Sequence, residues 1–511
     1  MVTSEKLNRI SLGKNLGLVI GLVGLAMLFC PLIFPPLAMS TTGVYLSLML
    51  ILLGSALYSD QLYKGTLVGI KNNGVWFNAL SNRGLLGWCI GLALTGFYIC
   101  LYFYPEKLGY HQEGSTGMIS FFDPLSYRLN GQPATQWFVY GTLYTMAILV
   151  FGIKFLIKYR SNRYQIIRTL SVIFFQLSFA FLIPELLTLF NPDIPYFAKD
   201  IKNMWPLNHY FFESWHLNNM LNGGKLGLFM LLSGLAMLFV VSPVLTYFYG
   251  KRWYCSWVCG CGALAETAGD PFRQLSSNKI SVWKLERWSI HLVLVLVFLS
   301  TIAVIWSFLG KQPNQSYLTQ DRFVLGIILF LVILMGTIYF FKREEFDKDV
   351  QYTMLSFGIV IIGVLAIRAF SNESHILFVK SYTLTKWYGF AIGAVFSGVL
   401  GVGFYPLLGS RVWCRFGCPM AAILGLQQRL LSRFRITTNG GQCISCGNCS
   451  VYCEMGIDVR AYAQKGQNIV RSSCVGCGIC SAVCPRGVLK LENGPVENRT
   501  NLPNFPLGNT L

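Results

Sequence analysis

Charge is scarce in this chain. Asp, Glu, Lys and Arg make up 12% of its 511 residues, roughly half the 25% usual for a soluble domain. That shortage excludes an ordinary soluble enzyme, and a hydrophobic content of 54% excludes a disordered chain. Histidine is rarer still, with 5 residues and no Cys-x-x-Cys-His, so haem has no attachment motif. The sequence also lacks a P-loop, a Gly-x-Gly-x-x-Gly turn and a Ser/His/Asp arrangement, which leaves nucleotide binding and acyl transfer without their usual residues. Acidic residues are the scarcer sign, 22 against 41 Lys and Arg.

The apolar residues fall in runs of about 20, the length that crosses a bilayer as a helix. Ten spans are expected, at 16–34, 43–59, 85–104, 137–157, 169–190, 226–249, 289–309, 323–341, 352–369 and 388–409. No small-residue cleavage site follows the first run, only Cys30-Pro31 and Pro35-Pro36, so it is expected to remain as a span. With the N-terminus inside, 31 of the 41 basic residues fall in inner segments. Basic loops resist translocation, so the reading is a multi-pass protein of the bacterial inner membrane with both termini and every cysteine motif cytoplasmic. The net charge of +19 then reflects topology and anionic lipid headgroups, and no nucleic-acid partner is expected.

Sixteen cysteines are present, and disulfide frameworks belong to small secreted domains. Cys30, Cys89 and Cys100 sit in apolar runs and read as small hydrophobes. The C-terminal part carries Cys443-x2-Cys446-x2-Cys449-x3-Cys453 and then Cys474-x2-Cys477-x2-Cys480-x3-Cys484-Pro485. This is the spacing of a bacterial two-cluster ferredoxin, in which three thiolates come from one tight loop and the fourth from the other half. One [4Fe–4S] cluster is expected on Cys443, Cys446, Cys449 and Cys484, and a second on Cys474, Cys477, Cys480 and Cys453. Gly447, Gly476 and Gly478 let the backbone wrap a cluster and aim N–H groups at its sulfurs. Zinc fits poorly, because it takes paired ligands. One departure is Glu454, where a proline would ordinarily follow Cys453.

Two further motifs lie at expected inner membrane edges, Cys255-x3-Cys259-x-Cys261 and Cys414-x3-Cys418-Pro419. They sit in similar segments, Arg252–Gly260 and Arg411–Pro419, and read as a degenerate internal repeat. Cysteines at i and i+4 share one helical face. Cys255, Cys259, Cys414 and Cys418 could therefore meet at a pseudo-twofold axis and hold a third redox centre. They could also form a dithiol relay, or be inert packing residues. Trp253, Tyr254, Trp257, Trp413 and Phe416 crowd both motifs and read mainly as an interfacial belt. Segment 421–435 reads as an amphipathic helix on the inner surface with its arginines toward lipid.

This combination of two C-x3-C(P) motifs and a two-cluster module resembles the NosR/NapH-like membrane polyferredoxins. The likeness covers roughly 226–490 and is poor over the first five spans. It implies electron transfer between a cytoplasmic or quinol donor and a respiratory or extracytoplasmic reductase, with redox proteins as partners. The longer NosR type carries an extracytoplasmic flavin-binding domain, and no outer segment here is large enough for one. The first motif has Cys259-Gly260 where the family has Cys-Pro. A related branch of copper-reducing oxidase assembly factors is the alternative that the resemblance implies.

The fold class expected is an all-α polytopic membrane protein of about ten helices with a small C-terminal α+β ferredoxin-like domain. Its divisions are 1–225 (about five spans), 226–435 (the spans with both membrane motifs), 436–492 (the ferredoxin-type domain) and 493–511 (a loose tail). Asn498-Arg499-Thr500 matches a sequon, which carries no weight on a cytoplasmic tail. His209, Glu213 and His216 share a helical face on the outer side, Glu185 follows Pro184 near the end of a span, and His291 opens another. A bland surface reading suits the first set best, and intramembrane acids such as Glu185 are often functional.

Overall fold

The computed structural model describes residues 4–34, 41–64, 84–111, 114–195, 199, 211–311, 318–342, 348–370 and 380–494. Among the described residues eight helices are long and apolar enough to cross a membrane: Leu12–Leu32, Gly43–Tyr63, Leu85–Phe103, Gln136–Lys158, Arg163–Phe190, Gly224–Tyr249, Ile280–Gly310 and Gln320–Thr337. The last two expected spans are helical as well. Lys348–Phe370 contains the apolar stretch Leu355–Ile367, and Ser381–Tyr388 runs on directly into Gly389–Gly403. The chain is thus a multi-pass helical membrane protein.

Local chemistry explains several of these elements. Thr135 and Asn162 cap the helices that follow them by accepting from Phe138 N and Gln165 N. The first two helices form an antiparallel hairpin sealed by glycines. A side chain at Gly54 would strike the Gly21 backbone, so the small-residue seam sets how closely they approach. Three spans widen into π turns, at Phe175–Leu182, Met237–Val241 and Gly389–Gly403. The first two lie directly before Pro184 and Pro243, which have no N–H to continue the α ladder.

The helix Gln136–Lys158 works as a ruler through the molecule. Near its C-terminal end Phe155, with Tyr159 just beyond it, packs on Ile479 and Val483 of the C-terminal module. Trp137 stands at its other end, half-exposed. On that far side Phe121, Phe122 and Phe138 share a core, and Asn130 donates to Glu185 at 2.7 Å. The carboxylate of Glu185 is therefore a buried brace.

The module after the last span is small and closed by one antiparallel strand pair, Arg435–Thr438 with Leu489–Glu492. Arg435 pairs with Glu492 and Thr438 with Leu489, so the first and last residues of the module meet. The preceding helix Pro419–Leu431 departs from the expected lipid-facing role. Met420, Ala421, Ala422, Leu424 and Gly425 are buried, and Arg429 donates to Val470 O at 3.0 Å. It is an adaptor wedged between the membrane helices and the module. Residues 495–511, with the sequon, lie outside the described residues.

Candidate redox site

Two cavities in the C-terminal module are each walled by four cysteines. Cys443, Cys446, Cys449 and Cys484 line one, with Ile444, Arg460 and Arg486. Cys453, Cys474, Cys477 and Cys480 line the other, with Glu454, Ile436 and Met455. We call the first distal and the second proximal, by their distance from the membrane helices. Among the described residues no three His, Cys, Asp or Glu converge on one ion-sized point. The thiols are instead spread around two cages, as a cubane needs and a single tetrahedral zinc does not.

The two halves repeat each other closely. Gly447 and Gly478 have φ of 79° and 76° and open matching one-turn helices, Asn448–Val451 and Ile479–Ala482. Ser445 in the distal loop has φ 57°, and Gly476 takes the equivalent place with φ 64°. A Cβ on Gly476 would also lie 2.6 Å from Arg252 Cβ, so close contact with the membrane domain demands glycine there. Ile457 N donates to Cys453 Sγ at 3.4 Å, an N–H aimed at a candidate ligand sulfur.

The proximal loop is held by the membrane domain at every residue. Cys474 O accepts from Gln428 Nε2 at 2.9 Å, and Val475 O accepts from Ser256 Oγ at 2.8 Å. Gly476 O accepts from the Tyr164 hydroxyl at 2.8 Å, and Cys477 O accepts from Gln165 Nε2 at 2.9 Å. Four consecutive carbonyls thus find four side chains on three separate segments. The four carbonyls of the loop are turned away from the cavity toward these donors.

Behind this loop lies a buried ionic network, centred on the residue that departs from the proline pattern. Glu454 is fully buried, and its carboxylate meets Arg273 at 2.7 Å and Arg411 at 3.0 Å. Arg411 also pairs with Glu266, which pairs with Arg168. Arg273 meets Asp270 at 2.9 Å, and Asp270 pairs with Lys158. Burial alone would push the Glu454 carboxyl up, but the two guanidiniums outweigh it and hold the group below the usual carboxylate range. Four cations face three carboxylates here, and one of those carboxylates, Glu454, stands on the cavity wall. The spacing of cysteines gave no sign of this network; the one hint was a charged residue where proline was expected.

The two membrane motifs have nearly the same backbone. The 159-residue shift that takes Cys255 to Cys414 also takes Gly250 to Gly409, whose φ values of 66° and 96° turn the chain sharply at the end of a span. Cys259 N bonds Tyr254 O at 2.8 Å, and Cys418 N bonds Trp413 O at 2.9 Å. Each second cysteine then sits at the start of a new helix, Gly260–Thr267 or Pro419–Leu431. The i and i+4 cysteines therefore do not share one continuous helix, because the chain extends between them. The motifs do come together. Cys255, Cys414 and Cys418 lie in one core, and Arg411 Nη1 donates to Cys255 O at 3.3 Å and Cys414 Sγ at 3.5 Å. Cys418 is within electrostatic reach of Cys255, Cys259 and Cys414.

The first motif also runs deeper than a membrane edge. A Cβ on Gly260 would stand 2.6 Å from Gln176 Oε1 and 3.4 Å from Tyr144 Cε1, which suits glycine where the second motif has Pro419. Both contact residues lie about 20 Å along their helices from the ends nearest the module, at 1.5 Å per residue. The surrounding aromatics are packed inward. Trp257 Nε1 donates to the Tyr164 hydroxyl at 3.2 Å, and Trp253, Tyr254 and Trp413 pack on the cysteine core. They pack around the cysteines and on one another. Among the described residues, those expected on the outer side are each engaged locally. His209 lies outside the described residues, Glu213 accepts from Trp215, and buried His216 turns to Phe211 O. His291 Nδ1 meets Arg287 O on its own helix.

The fold and these cavities define a membrane iron–sulfur protein of the electron-transfer kind. Comparison with known families agrees at that level. Residues 232–281 and 390–437 both match a 4Fe-4S binding domain, so the two membrane motifs fall under one family description, as an internal repeat should. Residues 442–489 match a 4Fe-4S dicluster domain. The chain therefore binds 4Fe–4S clusters. It is 26% identical over 230 residues to the Escherichia coli (strain K12) protein titled "Putative electron transport protein YccM", covering 44% of this chain and 47% of that protein. The chain thus spans about half the length of that curated relative. No solved structure matches it.

Proposed function

We propose that the chain relays electrons one at a time between a donor at the distal cavity and an acceptor reached through the membrane domain, in the manner of the NosR/NapH-like polyferredoxins. In this reading Cys443, Cys446, Cys449 and Cys484 hold one [4Fe–4S] cluster, and Cys453, Cys474, Cys477 and Cys480 hold the other. Such clusters supply reversible one-electron storage, tuned by hydrogen bonds and exposure. Cys255, Cys259, Cys414 and Cys418 form the next redox layer. The distribution of basic residues supports a cytoplasmic module in a bacterial inner membrane.

The observation that carries this reading is the fourfold anchoring of Cys474–Cys477. A module that only stored or sensed electrons would not need its second ligand loop fixed, residue by residue, against both membrane repeats. The distal cavity is the opposite, with exposed Cys446 and the cations Arg460 and Arg486 at its rim. That rim suits a donor protein with an acidic face.

Anaerobically purified protein in vesicles tests the proposal. A soluble reduced ferredoxin should reduce the module, and electrons should then reach an impermeant acceptor on the other side. The Cys414→Ser, Cys418→Ser double variant should keep the module's spectrum and lose transfer. Wild-type transfer in that variant would remove the membrane cysteines from the path.

A further inference from the structure

We infer that Tyr144, Tyr140, Tyr98, Tyr102 and Trp137 form an aromatic bridge that carries electrons from the membrane cysteines to the face opposite the ferredoxin module. The inference rests on the relay reading and names its outlet.

The rings are continuous. Tyr144 lies within electrostatic reach of Cys259 and Cys261, and its ring flanks Gly260 between them. Its centroid is 5.8 Å from that of Tyr140, and Tyr140 is 6.4 Å from Tyr98. Tyr98 stacks on Tyr102 at 5.5 Å, and Tyr102 meets Trp137 edge-on at 5.0 Å. Trp137 is 48% exposed, at the far end of the ruler helix. Tyr144 and Trp137 are seven positions apart on that helix, about 10 Å of rise. The bridge therefore covers the part of the membrane that the cysteines leave uncrossed.

Ordinary packing would not choose these residues. Tyr98, Tyr102, Tyr140 and Tyr144 lie on spans where phenylalanine would fill the same volume without a hydroxyl to desolvate. Tyr98 donates to Ala394 O at 3.3 Å, and its ring lies where a Cβ on Gly398 would have to go. The bridge is thereby fixed to the span that leads into the second cysteine motif. Ring faces and edges in series give a medium of closer electronic contact than the aliphatic chains around them.

The step is a one-electron transfer. The cysteine centre, resupplied by the module, loses one electron, and a one-electron metal or flavin acceptor docked beside Trp137 gains it. No bond forms or breaks. The rings mediate tunnelling and are not themselves oxidised, since iron–sulfur potentials lie too low to oxidise a phenol.

Holoprotein reconstituted in one orientation, with its clusters reduced, is mixed with membrane-impermeant ferricyanide on the Trp137 side. Cluster absorbance reports re-oxidation. Tyr140→Leu and, independently, Tyr98→Leu should slow re-oxidation by roughly an order of magnitude. Iron content and re-oxidation from the module side should be unchanged. Tyr140→Phe keeps the ring and should keep the wild-type rate. Wild-type rates in both leucine variants would overturn the bridge, and a slow Tyr140→Phe would overturn ring-mediated tunnelling by showing that the phenol is required. If the wild type is not re-oxidised from that side at all, the relay reading itself fails.

Discussion

The distal and proximal cavities are copies of one half-module, 31 residues apart in sequence, yet they live in opposite surroundings. The distal one keeps Ser445 in a left-handed turn and Pro485 after its last cysteine, and its Cys446 is exposed. The proximal one has Gly476 and Glu454 at those places. Glycine lets Arg252 and the membrane helices approach, and the glutamate reaches into their ion network. The same cysteine spacing thus occurs twice, once around an exposed rim and once against the membrane helices. Ser445/Gly476 and Pro485/Glu454 are two of the differences between the copies that bear on these surroundings.

Removing a ligand should break this comparison most completely. Cys480→Ser should cost about four iron atoms per chain, one cubane, and abolish transfer into the membrane. Cys446→Ser should cost a similar amount of iron but leave the proximal cluster's electron paramagnetic resonance signal. Equal loss of both signals in either variant would mean that the cages are not independent.

The ion network should come next. Glu454→Gln leaves two buried guanidiniums short of charge, and breaking a buried pair of this kind costs about 3–5 kcal/mol. Denaturant-induced cluster loss should shift accordingly, while Pro485→Ala at the equivalent distal position should shift it far less. Equal effects would mean that Glu454 does no more than fill the place of a proline.

Single carbonyl anchors should matter less. Ser256→Ala and Gln165→Ala each remove one hydrogen bond, worth about 1 kcal/mol. A hydrophilic oxidant should bleach the distal cluster before the proximal one, and these variants should narrow the gap. Simultaneous bleaching in the wild type would contradict the difference in exposure.

Acid gives the smallest and most specific effect. Burial opposes ionisation of Glu454 and Asp270, but neighbouring cations hold both carboxyls below their ordinary values of 4.5 and 3.8. Groups of this kind stabilise the fold above the ordinary value, and the stabilisation is lost as pH falls below it toward the folded value. Module retention should therefore weaken progressively below about pH 4.5, and Glu454→Gln should flatten part of that slope. An unchanged slope would show that Glu454 is not the titrating group.

Much of the architecture was legible in the residues. Apolar runs near bilayer length marked the spans, because an unsatisfied backbone in lipid leaves few alternatives to a helix. The three-plus-one cysteine spacing marked the dicluster module, and the likeness of Arg252–Gly260 to Arg411–Pro419 marked the repeat. Segment 421–435 has the pattern of a lipid-facing amphipathic helix, yet the helix Pro419–Leu431 packs on the module instead. Its arginines suggested headgroups, whereas Gln428 and Arg429 bond to the module at Cys474 O and Val470 O. The contacts of Trp253 with the cysteine core and of Trp257 with Tyr164 carry no local signature, since an aromatic at a span end shows nothing of its neighbour.

Sequence by itself determined what is set by local spacing: helices, thiols in loops, and the two half-modules. Tertiary structure alone decided which surfaces those elements meet. Glu454 acquires partners from segments some 40 and 180 residues away in sequence, Arg411 and Arg273. Tyr164, Gln165, Ser256 and Gln428 become anchors only because three separate segments converge on one loop. The tyrosines of two spans become a ladder only when those spans lie side by side. A charge or a ring carries no signature of its distant partner, because Coulomb attraction and ring contact depend on separation in space and not on position along the chain.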